Sequence, residues 1–189
     1  MHPHATLPLT ALVRHGETDW NRDGRLQGRT DIPLNDTGRA QAQALAEQLA
    51  GQGWAAITSS PLSRARETAR IIAAELGLEL LPAHDDLVER RFGEAEGGTA
   101  AELRVRFPGG ERPGQEPWEE LVARGSAALR RLRTAHGDAP LVVVAHGTFL
   151  RATVEGLAGV ELPRMANATS VVVEGAGANW RLAREPQRA

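Results

Sequence analysis

"PLVVVAHG", residues 140 to 147, is an unbroken apolar run that ends in a histidine and a glycine. A strand with one face in water alternates apolar and polar residues, whereas a strand covered on both faces does not, and this run follows the second pattern. It predicts a strand at the centre of a sheet with helices on both sides. Working outward, "LTALV" (9–13) and "WAAITSS" (54–60) read as further strands and "LELLP" (78–82) as a short one. "TSVVVEG" and "NWRLARE", within 169–185, read as a terminal pair around a Gly-rich turn. Helical periodicity occupies 37–53, 61–77, 99–107, about 116–135 and 148–159. In 61–77, Leu62, Ala65, Ala69, Ile72, Ala73 and Leu76 share one face, Ser60 suits the N-cap and Pro61 the first helical position. In the helix near 116–135, Trp118, Leu121, Val122, Gly125, Leu129 and Leu132 do the same. The stretch 83–115 is polar and punctuated by Gly and Pro, the character of a lid or insert. The expected fold class is α/β: a single domain over 1–189, with a mostly parallel central sheet and helices on both faces.

Composition narrows the chemistry. A chain of 189 residues suits one domain and buries roughly 70% of its unfolded surface. There is no cysteine, which excludes disulfides, thiolate nucleophiles and cysteine-ligated metal sites. All 22 basic residues are arginine, and lysine and tyrosine are absent, so Schiff-base and tyrosyl chemistry are excluded as well. A net charge of -2 argues against a general nucleic-acid binder. No apolar run approaches a membrane span, and the opening "MHPHATLPLTALV" has no basic n-region; a cytoplasmic location, as monomer or homodimer, is expected. His2 and His4 read as part of a frayed terminus, and His84 and His136 as solvent-facing. Trp54, Trp118 and Trp180 fall in periodic elements and are expected in the core, while Trp20 is placed to wall a pocket.

Three of the strands end in chemically loaded residues: Arg14 and His15, then Ser59 and Ser60 ahead of Arg64, then His146. Open α/β sheets bind ligands at the carboxyl ends of their strands, so these groups are expected together at one rim, exposed in a cleft rather than buried. Arginine's planar fork matches phosphate, and Arg64 lies in the first turn of its helix, where backbone N–H groups also favour an anion. A phosphoryl group between Arg14 and Arg64 has its charge neutralised there, and nearby guanidinium groups keep His15 neutral, with a lone pair free for nucleophilic attack. Arg66 and Arg70 are neighbours that compete with Arg64 for this assignment, and Glu94 and Glu96 compete with Glu89 as the acid.

"LVRHGETDWN" (12–21) resembles the phosphate-accepting motif of the histidine phosphatase superfamily, the phosphoglycerate-mutase-like proteins. "RLQGRTDIPLNDTGRAQA" (25–42), "SSPLSRARETA" (59–69), "LVERRFGEAEG" (87–97) and "VVVAHGTFLR" (142–151) follow in the family's order. The resemblance implies that His15 accepts the phosphoryl group, that Arg14, Arg64 and His146 bind its oxygens, and that Glu89 protonates the leaving alkoxide and then activates water. It places Asn21 near the phosphate pocket and Thr18, Gly28 and Gly147 at positions that shape it. It implies no metal or organic cofactor, and a small phosphorylated substrate.

The interval from Glu89 to His146 is short for a cofactor-dependent phosphoglycerate mutase, and Ala95 stands where relatives carry a larger side chain. The chain resembles the small phosphatase branch, with its broad-specificity and α-ribazole phosphatases. A phosphomonoester phosphatase working through phosphohistidine is therefore expected; a phosphoglycerate mutase and a non-catalytic phospho-ligand binding module are the alternatives.

Overall fold

The computed structural model describes residues 7–187; His2 and His4 lie outside them. The chain opens with β1 (Leu9–Arg14), a four-residue helix α1 (Asp19–Arg22), α2 (Asp36–Leu49), β2 (Ala56–Ser59) and α3 (Ser63–Leu76). It continues through β3 (Glu79–Leu80), two short 3-10 turns, α4 (Ala100–Arg106), α5 (Trp118–His136) and β4 (Leu141–Ala145). α6 (Gly147–Ala158), β5 (Ser170–Ala176) and β6 (Asn179–Gln187) complete it. The six strands form one sheet in the order β3-β2-β4-β1-β5-β6. β3, β2, β4 and β1 run parallel, and β5 and β6 turn antiparallel, so the sheet is mixed around the expected parallel centre.

Every residue of β4 is buried, as its unbroken apolar sequence requires. Its side chains alternate between two cores. Val143 and Ala145 join Leu12 of β1 and Leu121, Leu129 and Phe149 of α5 and α6. Val142 and Val144 join Ala11 and Val13 of β1 and Leu45, Ala65, Ala69 and Ile72 of α2 and α3. Each valine so buried contributes about 1.5–3 kcal/mol relative to exposure. The expected inner faces of α3 and α5 are confirmed, with Leu62, Leu76, Trp118 and Val122 only half-buried at the margins. Trp54 and Trp180 are buried, and His84 and His136 are half-buried rather than solvent-facing.

Element boundaries are tighter than the sequence reading. α2 stops at Leu49, β2 loses Trp54, Ala55 and Ser60, and α3 begins at Ser63 rather than Pro61. Ser60 is not the cap. Asp31, from a loop more than thirty positions earlier, accepts the Ser63 backbone N–H at 2.8 Å and its hydroxyl at 2.7 Å, which satisfies an otherwise orphaned helix-end donor. α1 was not foreseen; Thr18 and Asn21 form a reciprocal capping box around it. The 83–115 stretch builds a small core of its own, Phe92, Ala95 and Leu103 with Leu26 and Phe107. No helix among the described residues is long and apolar enough to cross a membrane.

Candidate active site

Sheet register explains why distant residues meet. Arg14 pairs with Ala145, and Ser59 with Val144, so His15, Ser60 and His146 leave three adjacent parallel strands at the same edge. The ladder continues through this exit: His15 N–H donates to Ala145 O at 3.1 Å and Ser60 N–H to Val144 O at 2.9 Å. Gly16 follows because the loop passes against α2; a Cβ there would lie 2.3 Å from Gly38 O.

The cluster is buried, which corrects the expectation of exposed groups. His15 is 3% exposed, and Arg64 and His146 are fully enclosed. A cavity of about 280 Å³ opens above them, lined by Arg14, His15, Asn21, Glu89 and Gly147 among others, whereas Arg64 and His146 lie beneath its lining. Arg64 donates from Nη2 to Gly28 O (2.7 Å), from Nη1 to Thr30 O (3.0 Å) and from Nε to His15 Nε2 (3.2 Å). Arg66 and Arg70 are exposed, whereas Arg64 is enclosed beside His15.

A hydrogen bond assigns the tautomer of His15. His15 Nδ1 lies 2.7 Å from the Gly16 carbonyl, an acceptor, so Nδ1 carries the proton and Nε2 the lone pair. Burial, then Arg64 and Arg14, hold its pKa well below the usual histidine range. His146 is held through its other ring nitrogen. Ser60 Oγ accepts the Leu62 N–H at 3.3 Å and lies 2.8 Å from His146 Nε2. His146 Nδ1 has no protein partner among the described residues. Burial first, then Arg64, depress this pKa too. The two rings meet edge to face at 5.2 Å.

Glu89 reaches the cavity from the loop after the first 3-10 turn and closes the N-terminus of α6. Its Oε1 accepts from Arg90 N–H and Phe149 N–H, both at 2.8 Å, and Oε2 from Thr148 N–H at 3.1 Å. These bonds and the helix dipole favour the carboxylate, yet burial outweighs them and raises the pKa. Oε2, with a single donor, has room for a proton. Neither rival acid has such a place: Glu94 faces Arg106 on the surface, and Glu96 binds the Arg29 and Thr30 backbone N–H groups. Arg14 donates from Nη1 to Met165 O at 2.6 Å, while its buried Nε has no partner among the described residues. Burial lowers Arg14 and Arg64 to about 10, so both stay cationic at neutral pH.

Asn21 lines the cavity, but its amide is committed: Oδ1 accepts from Asn167 Nδ2 (2.9 Å) and Nδ2 donates to Gln27 Oε1 (3.1 Å). Thr18 is fully buried and also donates to Gln27 Oε1 (2.9 Å), so it supports the wall rather than forming it. Gly147 leaves room for the Arg14 guanidinium, since a Cβ would sit 3.3 Å from Nε. A Cβ at Gly28 would collide with Glu96 at 2.1 Å. Trp20 packs over Gly97 and is not part of the lining. Sequence reasoning missed Gln27, whose buried Nε2 is unpartnered among the described residues at the cavity wall. It also missed Asn167, which donates to the His15 and Gly16 carbonyls (3.2 Å each). Gln27 stood inside a quoted motif; Asn167 had no sequence signal.

A family model described as the histidine phosphatase superfamily (branch 1) matches residues 10–186. An uncharacterized phosphatase, PhoE, of Bacillus subtilis (strain 168) is 39% identical over 180 residues, covering 93% of each chain. Among solved structures, mycobacterial hydrolase 1 superposes with a TM-score of 0.88 at 28% identity, covering 96% of this chain and 99% of the other. A mycobacterial glucosyl-3-phosphoglycerate phosphatase, solved with VO3, superposes with a TM-score of 0.86 at 30% identity, covering 94% and 98%.

Proposed function

This chain belongs to branch 1 of the histidine phosphatase superfamily, and from that premise we propose that it is a cytoplasmic, metal-independent phosphomonoester phosphatase that turns over small phosphorylated metabolites through a phosphohistidine on His15. The observation that carries the reading is the pairing of a neutral His15, its Nε2 lone pair unprotonated, with an acid of raised pKa on the same cavity. Anion binding alone needs the arginines but neither of these groups, so the pairing favours an enzyme over a binding module.

The phosphoryl group displaces the Arg64 Nε contact and lies between Arg14, Arg64 and the Nδ1–H of His146. The Nε2 lone pair of His15 attacks phosphorus as the ester P–O bond breaks, and Glu89 passes its proton to the departing alkoxide. Positive charge that develops on the ring is met by the Gly16 carbonyl at Nδ1–H. In the second half, the Glu89 carboxylate takes a proton from water, whose oxygen attacks phosphorus; the P–N pair returns to Nε2. Arg14 and Arg64 neutralise the spreading charge throughout.

Leaving-group dependence tests the role of Glu89. An alkoxide needs a proton to depart and a nitrophenolate needs much less help. Glu89→Gln is expected to slow the burst of an alkyl phosphate by about 10² to 10⁴ and that of p-nitrophenyl phosphate far less. Equal slowing of both bursts would remove Glu89 from the acid role.

A further inference from the structure

Glu96, the rival of Glu89 in sequence, is half-buried outside the cavity lining, where two segments of chain meet. Residues 25–30 and 96–99 are stitched together there. Leu26 N–H donates to Gly98 O and Gly97 N–H to Leu26 O, both at 2.9 Å, and Arg25 Nη1 donates to Gly97 O at 2.7 Å. At the end of this ladder stands the Glu96 carboxylate. Its Oε1 accepts from Arg29 N–H at 2.9 Å, and its Oε2 from Thr30 N–H at 3.1 Å and from the Thr30 hydroxyl at 2.7 Å. Phe92 N–H adds a longer contact to Oε1 at 3.4 Å. The Arg29 guanidinium goes elsewhere, to Glu116 at 3.4 Å. Gly28 lets the carboxylate come this close, because a Cβ there would lie 2.1 Å from Oε1.

The other side of the same loop grips Arg64. Gly28 O accepts from Nη2 at 2.7 Å and Thr30 O from Nη1 at 3.0 Å. A trans peptide is planar, with its N–H and C=O pointing opposite ways, so fixing one fixes the other. The Gly28–Arg29 peptide has its N–H on the Glu96 carboxylate and its C=O on the Arg64 guanidinium. Its dipole lies between an anion and a cation, and each strengthens the bond made to the other. Arg64 is fully enclosed, and its remaining contact is the 3.2 Å bond from Nε to His15 Nε2. Once an anion takes that bond, the two carbonyls are what keep the fork aimed.

We propose that Glu96 is a positioning residue: acting through the Gly28–Arg29 peptide and Thr30, it holds the Arg64 guanidinium in the orientation that receives an anion at the base of the cavity. The proposal rests on the phosphatase reading for the anion that Arg64 receives. Glu96 itself makes no hydrogen bond to Arg64 among the described residues; its effect passes through the loop. Without the carboxylate, the Arg29 and Thr30 donors turn to water and carry the Gly28 and Thr30 carbonyls with them. Arg64 is then aimed correctly for a smaller fraction of the time, and apparent anion affinity falls by that fraction.

Guanidinium NMR of the 15N-labelled protein, free of ligand, tests the bridge. Native Arg64 is expected to show resolved, slowly exchanging Nη protons, each held by a carbonyl. Glu96→Ala should merge or broaden them and shift the Arg64 Nε–H, while the Arg14 Nε–H stays in place. Glu96→Gln and Thr30→Val, which keep the side-chain volume, should do the same to a smaller degree. Inorganic phosphate, titrated by calorimetry, should bind Glu96→Ala about ten-fold more weakly, the contribution of one charge-assisted hydrogen bond. Glu94→Ala, at a surface acid paired with Arg106, should leave both measurements unchanged. If Glu96→Ala does not fold, the two milder variants decide. Arg64 signals unmoved in every folded variant, Arg14 and Arg64 disturbed alike, or phosphate affinities all within about two-fold of native would each overturn the proposal. The signals are read without ligand, so the two claims fail separately. Arg64 displaced as expected, with no hydrolysis of p-nitrophenyl phosphate by the native protein, removes the phosphatase reading and keeps the bridge; hydrolysis with Arg64 unmoved does the reverse.

Discussion

His15 and His146 are the same residue type, buried side by side and both neutral, yet they present opposite faces. The Gly16 carbonyl fixes the proton of His15 on Nδ1 and leaves the lone pair on Nε2, the proposed nucleophile. The Ser60 hydroxyl meets Nε2 of His146 and leaves Nδ1 as the ring nitrogen without a partner among the described residues. The proposed transfer draws on a lone pair from one ring and a proton from the other, which is what attack on an anionic phosphoryl group asks of its two neighbours. On the proposed function Ser60 is a positioning residue, although in sequence it read as a helix cap. Ser60→Ala is expected to release His146 into a mixture of tautomers, visible in its imidazole 15N shifts, and to raise KM for phosphate esters by about ten-fold, with partial rescue by Ser60→Thr. An unchanged tautomer and an unchanged KM in the alanine variant would show that Ser60 only fills space.

At the scale of elements, Glu89, the proposed acid, is held by two helices that do not carry it. The N-terminus of α6 donates two N–H groups to the Glu89 carboxylate. From α5, Arg124 donates to the carbonyls of Asp86, Val88 and Glu89 and pairs with both oxygens of Glu116. One guanidinium therefore pins the peptide on either side of Glu89, and desolvation of the pair sharpens those bonds. Arg124→Met should destabilise the fold by ~1–3 kcal/mol, the range for partners left unsatisfied, and slow alkyl phosphates more than p-nitrophenyl phosphate. A loss of melting temperature with equal slowing of both esters would assign Arg124 to stability alone. Little of this was legible in the sequence. The identity of Glu89 came from its motif, but its bracket depends on a loop meeting a helix thirty-five positions later, and no periodicity reports such a contact. The same holds for Asp31 capping α3.

For the whole molecule, the legible part was the part that local pattern dictates. An apolar run without alternation placed β4 between two helical layers, and three strands ending in Arg14–His15, Ser60 and His146 pointed to one sheet edge. What the pattern could not give was depth. A strand end is an edge in topology, but here two helical layers and the 83–115 stretch rise around it, so His15 and Arg64 are buried, and Arg14, His15 and Glu89 line the opening while Arg64 and His146 do not. The antiparallel β5 and β6 extend the sheet beyond β1 without altering that edge. The proposed chemistry turns on transfer of the phosphoryl group to one nitrogen. Rapid quenching of the enzyme with a turned-over phosphate ester, followed by mass spectrometry and 31P NMR of the trapped protein, tests that directly. The account predicts an acid-labile, base-stable phosphoenzyme with its phosphorus on Nε2 of His15, formed and lost at rates that support turnover and absent from His15→Ala. Phosphorus found on Ser60, or turnover by His15→Ala near the native rate, would contradict it.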